Sequence, residues 1–182
     1  MQKSIIVIAI AIATFVALVM PTAASTRVPQ PPQGKKEYLS ESEANRIRDA
    51  YEPSDRIALY MKFAEDRLKK FQYELNRKVQ DRRRAEVLNN LLNAYAGCVD
   101  DAADQIAVGE ERQADIRGSL KLMKAKVGEF LDILEKLQQN GPELDTYKDT
   151  LEDAIDGSKD ALTDVENGLK NAAAPPLRRK PS

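Results

Sequence analysis

Histidine and tryptophan are absent from the 182 residues, and there is a single cysteine, Cys98. Each absence closes a class of function. Without imidazole the most frequent general base is gone, together with most zinc sites and histidine-ligated haem. One thiol cannot close an internal disulfide, so packing alone must hold the fold. No Cys-x-x-Cys-His run and no Glu-x-x-His pair supplies the ligands that helical bundles use for haem or di-iron centres. The expectation is therefore a chain that is not an enzyme, with no catalytic, cofactor-binding or metal-ligating residue and no cofactor. Glycine is sparse at eight residues, and Val and Thr are few beside Leu, Ala, Lys, Glu, Arg and Asp, which favours helix over sheet.

Long uncharged runs are missing too, except near the start. Lys3 is the only charge in the first 25 residues, Ile5 to Met20 is an uninterrupted apolar run, and Pro21-Thr22-Ala23-Ala24-Ser25 follows with small residues. A positive residue, an apolar stretch and a small-residue segment, in that order, make a secretory signal peptide over residues 1–25, with cleavage after Ala24 or Ser25. Sixteen residues fall short of the ~20 that a spanning helix needs, so a retained anchor is the lesser reading. No cysteine follows the run, which argues against a lipid-modified form. The mature chain is expected to be periplasmic or secreted, and to meet a membrane only if the segment is left uncleaved.

Removing Lys3 leaves 27 basic against 29 acidic side chains, a net charge of −2. That balance gives no reason to expect nucleic acid as a partner. Residues 26–38 carry Pro29, Pro31, Pro32 and Gly34 and read as a disordered linker, and residues 172–182 carry Pro175, Pro176 and Pro181 around Arg178, Arg179 and Lys180 and read as a disordered basic tail. Between them, residues 39–171 form one expected domain.

Order begins at Leu39-Ser40-Glu41-Ser42-Glu43, where Ser40 and Glu43 can make a capping box with Leu39 as its hydrophobic staple. A short helix should run to about Tyr51, with Pro53 opening the next. Apolar residues then recur at helical spacing: Ile57, Met61, Ala64, Leu68, Phe71 and Leu75; Leu92, Tyr95, Val99, Ala102 and Ile106; Ile116, Leu120, Met123, Val127, Phe130, Leu134 and Leu137; and Leu144, Tyr147, Leu151, Ala154, Ser158, Leu162, Val165 and Leu169. The fold expected is all-α, an antiparallel bundle of three or four long amphipathic helices with a short N-terminal helix. Turns are expected near Asp81, Gly109 and Gly141. Asn140-Gly141-Pro142 gives the sharpest boundary, a left-handed-tolerant stop followed by a proline suited to a helix start. No glycine or proline separates Leu75 from Leu88, so a single helix of about 80 Å continuing to Ile106 stays open, at 1.5 Å per residue.

Charge is segregated along the chain. Arg67, Lys69, Lys70, Arg77, Lys78, Arg82, Arg83 and Arg84 face only Glu74 and Asp81 in the same stretch, whereas residues 143–166 hold nine acids against Lys148 and Lys159. The favoured reading sets these helices side by side; the other makes them surfaces for two external partners. Glu152, Asp156, Asp160 and Asp164 form a carboxylate row, but their side chains lie about 6 Å apart on a rod and cannot wrap one ion. Asp156-Gly157-Ser158-Lys159-Asp160 opens like an EF-hand loop and then departs from it, with Ala161 at the turn glycine and Asn167 at the bidentate acid. Cys98, beside Val99, reads as a small buried hydrophobe, with an intermolecular disulfide as the alternative.

The segment Glu52-Pro53-Ser54-Asp55-Arg56-Ile57-Ala58-Leu59-Tyr60, continuing to Ala64-Glu65-Asp66-Arg67-Leu68, resembles a helix of uncharacterised extracytoplasmic helical proteins of bacteria, a domain of unknown function. Exported envelope-stress chaperones of the cradle type are similar in size and charge, but their Leu-Thr-x-x-Gln motif is absent. The function expected is that of an exported, non-enzymatic protein of the bacterial cell envelope, binding an unknown protein or envelope polymer or acting as a structural spacer. A periplasmic stress chaperone or sensor, or a weak divalent-cation binder, is the alternative, and a homo-oligomer is left open.

Overall fold

The computed structural model describes residues 38–78 and 81–171, and the expectations placed on the signal peptide, the linker up to residue 37 and the basic tail lie outside these. The described residues are all-helical, without a strand: α1 Glu41–Asp49, α2 Pro53–Asn76, α3 Arg84–Glu111, α4 Arg117–Asn140 and α5 Lys148–Asn171, with one 3₁₀ turn at Leu144–Thr146. None of these helices is long and apolar enough to cross a membrane.

The local signals act as the sequence suggests. Ser40 Oγ accepts from the Glu43 amide at 3.3 Å while Glu43 Oε2 accepts from the Ser40 amide at 2.8 Å, so two orphan amides of α1 are satisfied reciprocally. Leu39 is buried beside them. Tyr38, at the last position of the expected linker, donates its hydroxyl to Asp101 on α3. Pro53 occupies the first turn of α2, where its missing amide hydrogen is no loss.

Every position of the α2 and α3 stripes is buried, as are those from Ile116, at the start of α4, to Leu134, and they meet in one core with Tyr147, just before α5, and with Leu151, Ala154 and Val165 of α5. Each fully buried Leu or Phe contributes about 1.5–3 kcal/mol, so these stripes supply the main driving force. Aromatic edges interlock them: Phe71 meets Tyr147 at 5.2 Å, and Tyr95 meets Phe130 at 5.8 Å. Cys98 is fully buried in the same core.

α2 packs on α3 and α4, and α5 packs on α3 and α4. The basic end of α2 therefore does not lie along acidic α5, contrary to the favoured side-by-side reading. Lys69 and Lys70 are instead paired within their own helix with Glu65 and Asp66, both at 2.7 Å.

The boundary between α2 and α3 falls near Asp81 as expected, and the next two boundaries differ in detail. α2 and α3 are separate helices, so the open alternative of a single helix continuing to Ile106 falls away, and a side chain makes the stop between them. Arg84 donates to the carbonyls of Glu74, Leu75 and Arg77 at 2.8, 2.8 and 3.1 Å, covering the C-terminal end of α2. α4 ends at Asn140 as expected, but Gly141 is extended (φ −66°) and the left-handed residue is Glu143 (φ 56°). That kink delays α5 until Lys148, so Pro142 opens no helix. Gly109 does not end α3 either. It is buried inside the helix, where a Cβ would stand 2.6 Å from Ile116 Cγ2, and the chain turns at Gln113 (φ 52°).

Candidate functional site

Three polar groups inside the described fold are structural ties. Tyr95 and Ser158 share a buried hydrogen bond of 2.8 Å between α3 and α5, and Ser158 also donates to Ala154 O at 2.7 Å. Burial drives the Tyr95 phenol strongly upward, so it stays protonated. Arg67, only 8% exposed, holds α1 to α2 through Glu43 at 2.6 Å and the Tyr38 carbonyl at 3.2 Å. Burial pushes the Glu43 carboxyl upward, but hydrogen bonds from Arg67 and Ser40 outweigh it and hold the group below its ordinary value. Arg84 joins the end of α2 to Glu143 with a forked pair at 2.8 and 3.2 Å. Of the arginine triplet, only Arg82 and Arg83 are left exposed to solvent.

Charge is unevenly shared among the helices, and the packing order gathers the acids. α2 and α4, which are neighbours, together hold 10 basic and 7 acidic side chains, net +3; α3 and α5, also neighbours, hold 4 basic and 13 acidic, net −9. Between Ala85 and Glu111 there is no lysine or arginine at all. On α5, Lys159 turns away to Glu135 of α4 at 3.8 Å, Lys148 reaches Glu152 at 4.0 Å, and Glu166 is taken by Lys124 of α4 at 2.8 Å. Asp100 and Asp104 of α3 and Asp153, Asp156, Asp160 and Asp164 of α5 form no ion pair among the described residues.

Two features bring the helices' carboxylates together. Asp153, Gly157, Asp160 and Asp164 follow helical spacing along α5, and Asp100 and Asp104 are one turn apart on α3. At Gly157 no side chain intervenes: a Cβ there would lie 3.5 Å from Asp100 Oδ1. Asp100 is consequently held above its usual value, first by partial desolvation and then by the charges of Asp104 and Asp160. Like charges one turn apart weaken a helix by about 0.2–0.5 kcal/mol per pair, so this face carries a standing electrostatic cost. A face of this kind attracts cationic groups along its length.

The carboxylate row noted in the sequence is divided by the fold. Glu152 pairs locally with Lys148, whereas Asp160 faces Asp100 across the helix pair. Asp100 and Asp104 were not singled out, although the base-free stretch from Ala85 to Glu111 was the available signal. Among the described residues no group of three or more acids or thiols stands close enough to hold a metal ion. No family model, no curated protein and no solved structure matches this chain.

Proposed function

We propose that this protein is an exported, non-enzymatic bundle of four long helices, antiparallel in succession, that works in the bacterial cell envelope through its surfaces, binding or spacing other macromolecules. Contacts along the helices support the antiparallel order. Arg112 reaches the Tyr51 carbonyl at 3.4 Å while Arg84 reaches that of Leu75, contacts that support opposite directions for α2 and α3. Lys124 with Glu166 and Glu135 with Lys159 give the same sense for α4 and α5.

The observation that carries this reading is the burial of the apolar stripes. A chaperone that holds unfolded clients needs a continuous apolar surface. Among the described residues the exposed large apolar side chains are Tyr51, Tyr73, Val87 and Leu122, from four different segments, while Asp100 and Asp104 of α3 and Asp153, Asp156, Asp160 and Asp164 of α5 are exposed. Suppression of aggregation of a model client at stoichiometric ratio separates the two readings: the binder or spacer leaves aggregation unchanged, and a clear suppression refutes it. Export is tested by the intact mass of the protein recovered outside the cytoplasm, which should begin at Ser25 or Thr26.

A further inference from the structure

The unpaired carboxylates of α3 and α5 have a counterpart on the same molecule. The turn between α2 and α3 presents Arg77, Lys78, Arg82 and Arg83, all exposed. Arg77 is paired with Glu74 at 2.7 Å, but Lys78, Arg82 and Arg83 form no ion pair among the described residues. Asp81, the one acid of the turn, accepts from the Arg83 amide at 3.0 Å. Within one chain this turn cannot reach the Asp100 and Asp160 part of the acidic face. Asp100 lies 16 residues beyond Arg84 on the same helix, about 24 Å at 1.5 Å per residue, which no arginine side chain spans.

We propose that the acidic face of α3 and α5 is the docking surface for the basic α2–α3 turn of a second copy of this chain. The proposal rests on the reading that the protein acts through its surfaces, and it names one partner. Charge complementarity carries it: one patch is a row of unpaired carboxylates with a glycine floor at Gly157, the other a knot of unpaired cations on a helix connection. Because the two patches differ, the contact is heterologous. Each copy that docks leaves one turn and one face unused, so association builds head to tail. Bringing a guanidinium to Asp100 and Asp160 relieves the mutual repulsion of those carboxylates, and salt weakens the contact because both patches are exposed.

Sedimentation velocity on the protein, expressed from its whole gene and purified as the cell delivers it, tests this. Its sedimentation coefficient should rise with concentration when the Debye length is about 20–30 Å and stay constant when it is about 3–5 Å. Arg82→Glu with Arg83→Glu, and separately Asp100→Lys with Asp160→Lys, should each weaken self-association by at least about tenfold, while an equimolar mixture of the two variants associates again. All four positions are exposed, and thermal melts by circular dichroism establish that both variants fold. A second measurement needs no variant: carbodiimide treatment of mixed isotopically light and heavy protein should join Lys78 of one copy to Asp100, Asp104 or Asp160 of another. A protein that stays monomeric at low salt, variants that fail to associate when mixed, or cross-links running from this face to Lys180 instead would each overturn the proposal. None of these outcomes alters the client-aggregation result, so the broader reading is judged separately.

Discussion

Arg84→Ala removes five hydrogen bonds in one step. Three go to the carbonyls of Glu74, Leu75 and Arg77 at the end of α2, and two to the Glu143 carboxylate in the connection between α4 and α5. The carbonyls are partly solvated, so each bond is worth about 0.5–1 kcal/mol net. A cation at a helix C-terminus adds about 0.3–1 kcal/mol. The half-exposed pair with Glu143 contributes at most ~1 kcal/mol. These terms overlap in one guanidinium, and a total of about 2–3 kcal/mol follows. For a domain of roughly 130 residues the unfolding entropy is about 0.28 kcal/mol/K, so Tm should fall by about 7–11 °C. Urea titration followed by circular dichroism should show the lower midpoint with an unchanged slope. Arg82→Ala and Arg83→Ala serve as controls and should stay within about 0.5 kcal/mol of the parent. Arg84→Lys keeps the charge without the fork and should recover less than half of the loss. If Arg84→Ala melts within about 2 °C of Arg83→Ala, the side-chain stop between α2 and α3 is wrong and the three arginines are equivalent surface charges.

Two glycines on either side of the α3–α4 connection should respond oppositely. Gly109→Ala drives a methyl into Ile116 and should cost about 1–3 kcal/mol by denaturant titration, whereas Gly118→Ala meets no atom within 4 Å and should stabilise by up to ~1 kcal/mol. Ser158→Ala leaves the buried Tyr95 hydroxyl without its partner and should cost about 1–3 kcal/mol, more than Tyr95→Phe, because Ser158 keeps its bond to Ala154 O. Acid should act in two directions. Glu43 is depressed in the folded state, so its contribution is present above pH 4.5 and is lost as pH falls through the lower folded value, an effect that Glu43→Gln removes. Asp100 is raised, so its penalty is present above the folded value and disappears below pH 3.8; Asp100→Asn should therefore stabilise at pH 7 and become neutral in acid. A pH titration of the urea midpoint for each variant checks both signs.

The candidate face was half legible in advance. Asp160 and Asp156 belonged to a row visible in the sequence, and the excess of acid from Glu143 to Glu166 was plain. Their partners Asp100 and Asp104 lie more than 50 residues earlier, and nothing in helical spacing says that α3 rather than α2 lies beside α5. The expected neighbour was the basic end of α2, chosen on charge. Exposed pairs are worth at most ~1 kcal/mol each, too little to set helix order against the burial of whole apolar stripes.

By itself the sequence determined what belongs to each helix alone: the capping box at Ser40 and Glu43, the proline start of α2, and the apolar stripes of α2 and α3 with most of that of α4. These depend on dihedral preference and on each side chain's own hydrophobicity, which are local quantities. The tertiary structure decided which stripes face which, that Arg84 caps the end of α2, that Glu143 takes the left-handed turn, and that positive charge collects on α2 and α4 and negative charge on α3 and α5. Those outcomes follow from how side chains of distant segments fit together, and several helix orders would bury the same stripes nearly as well.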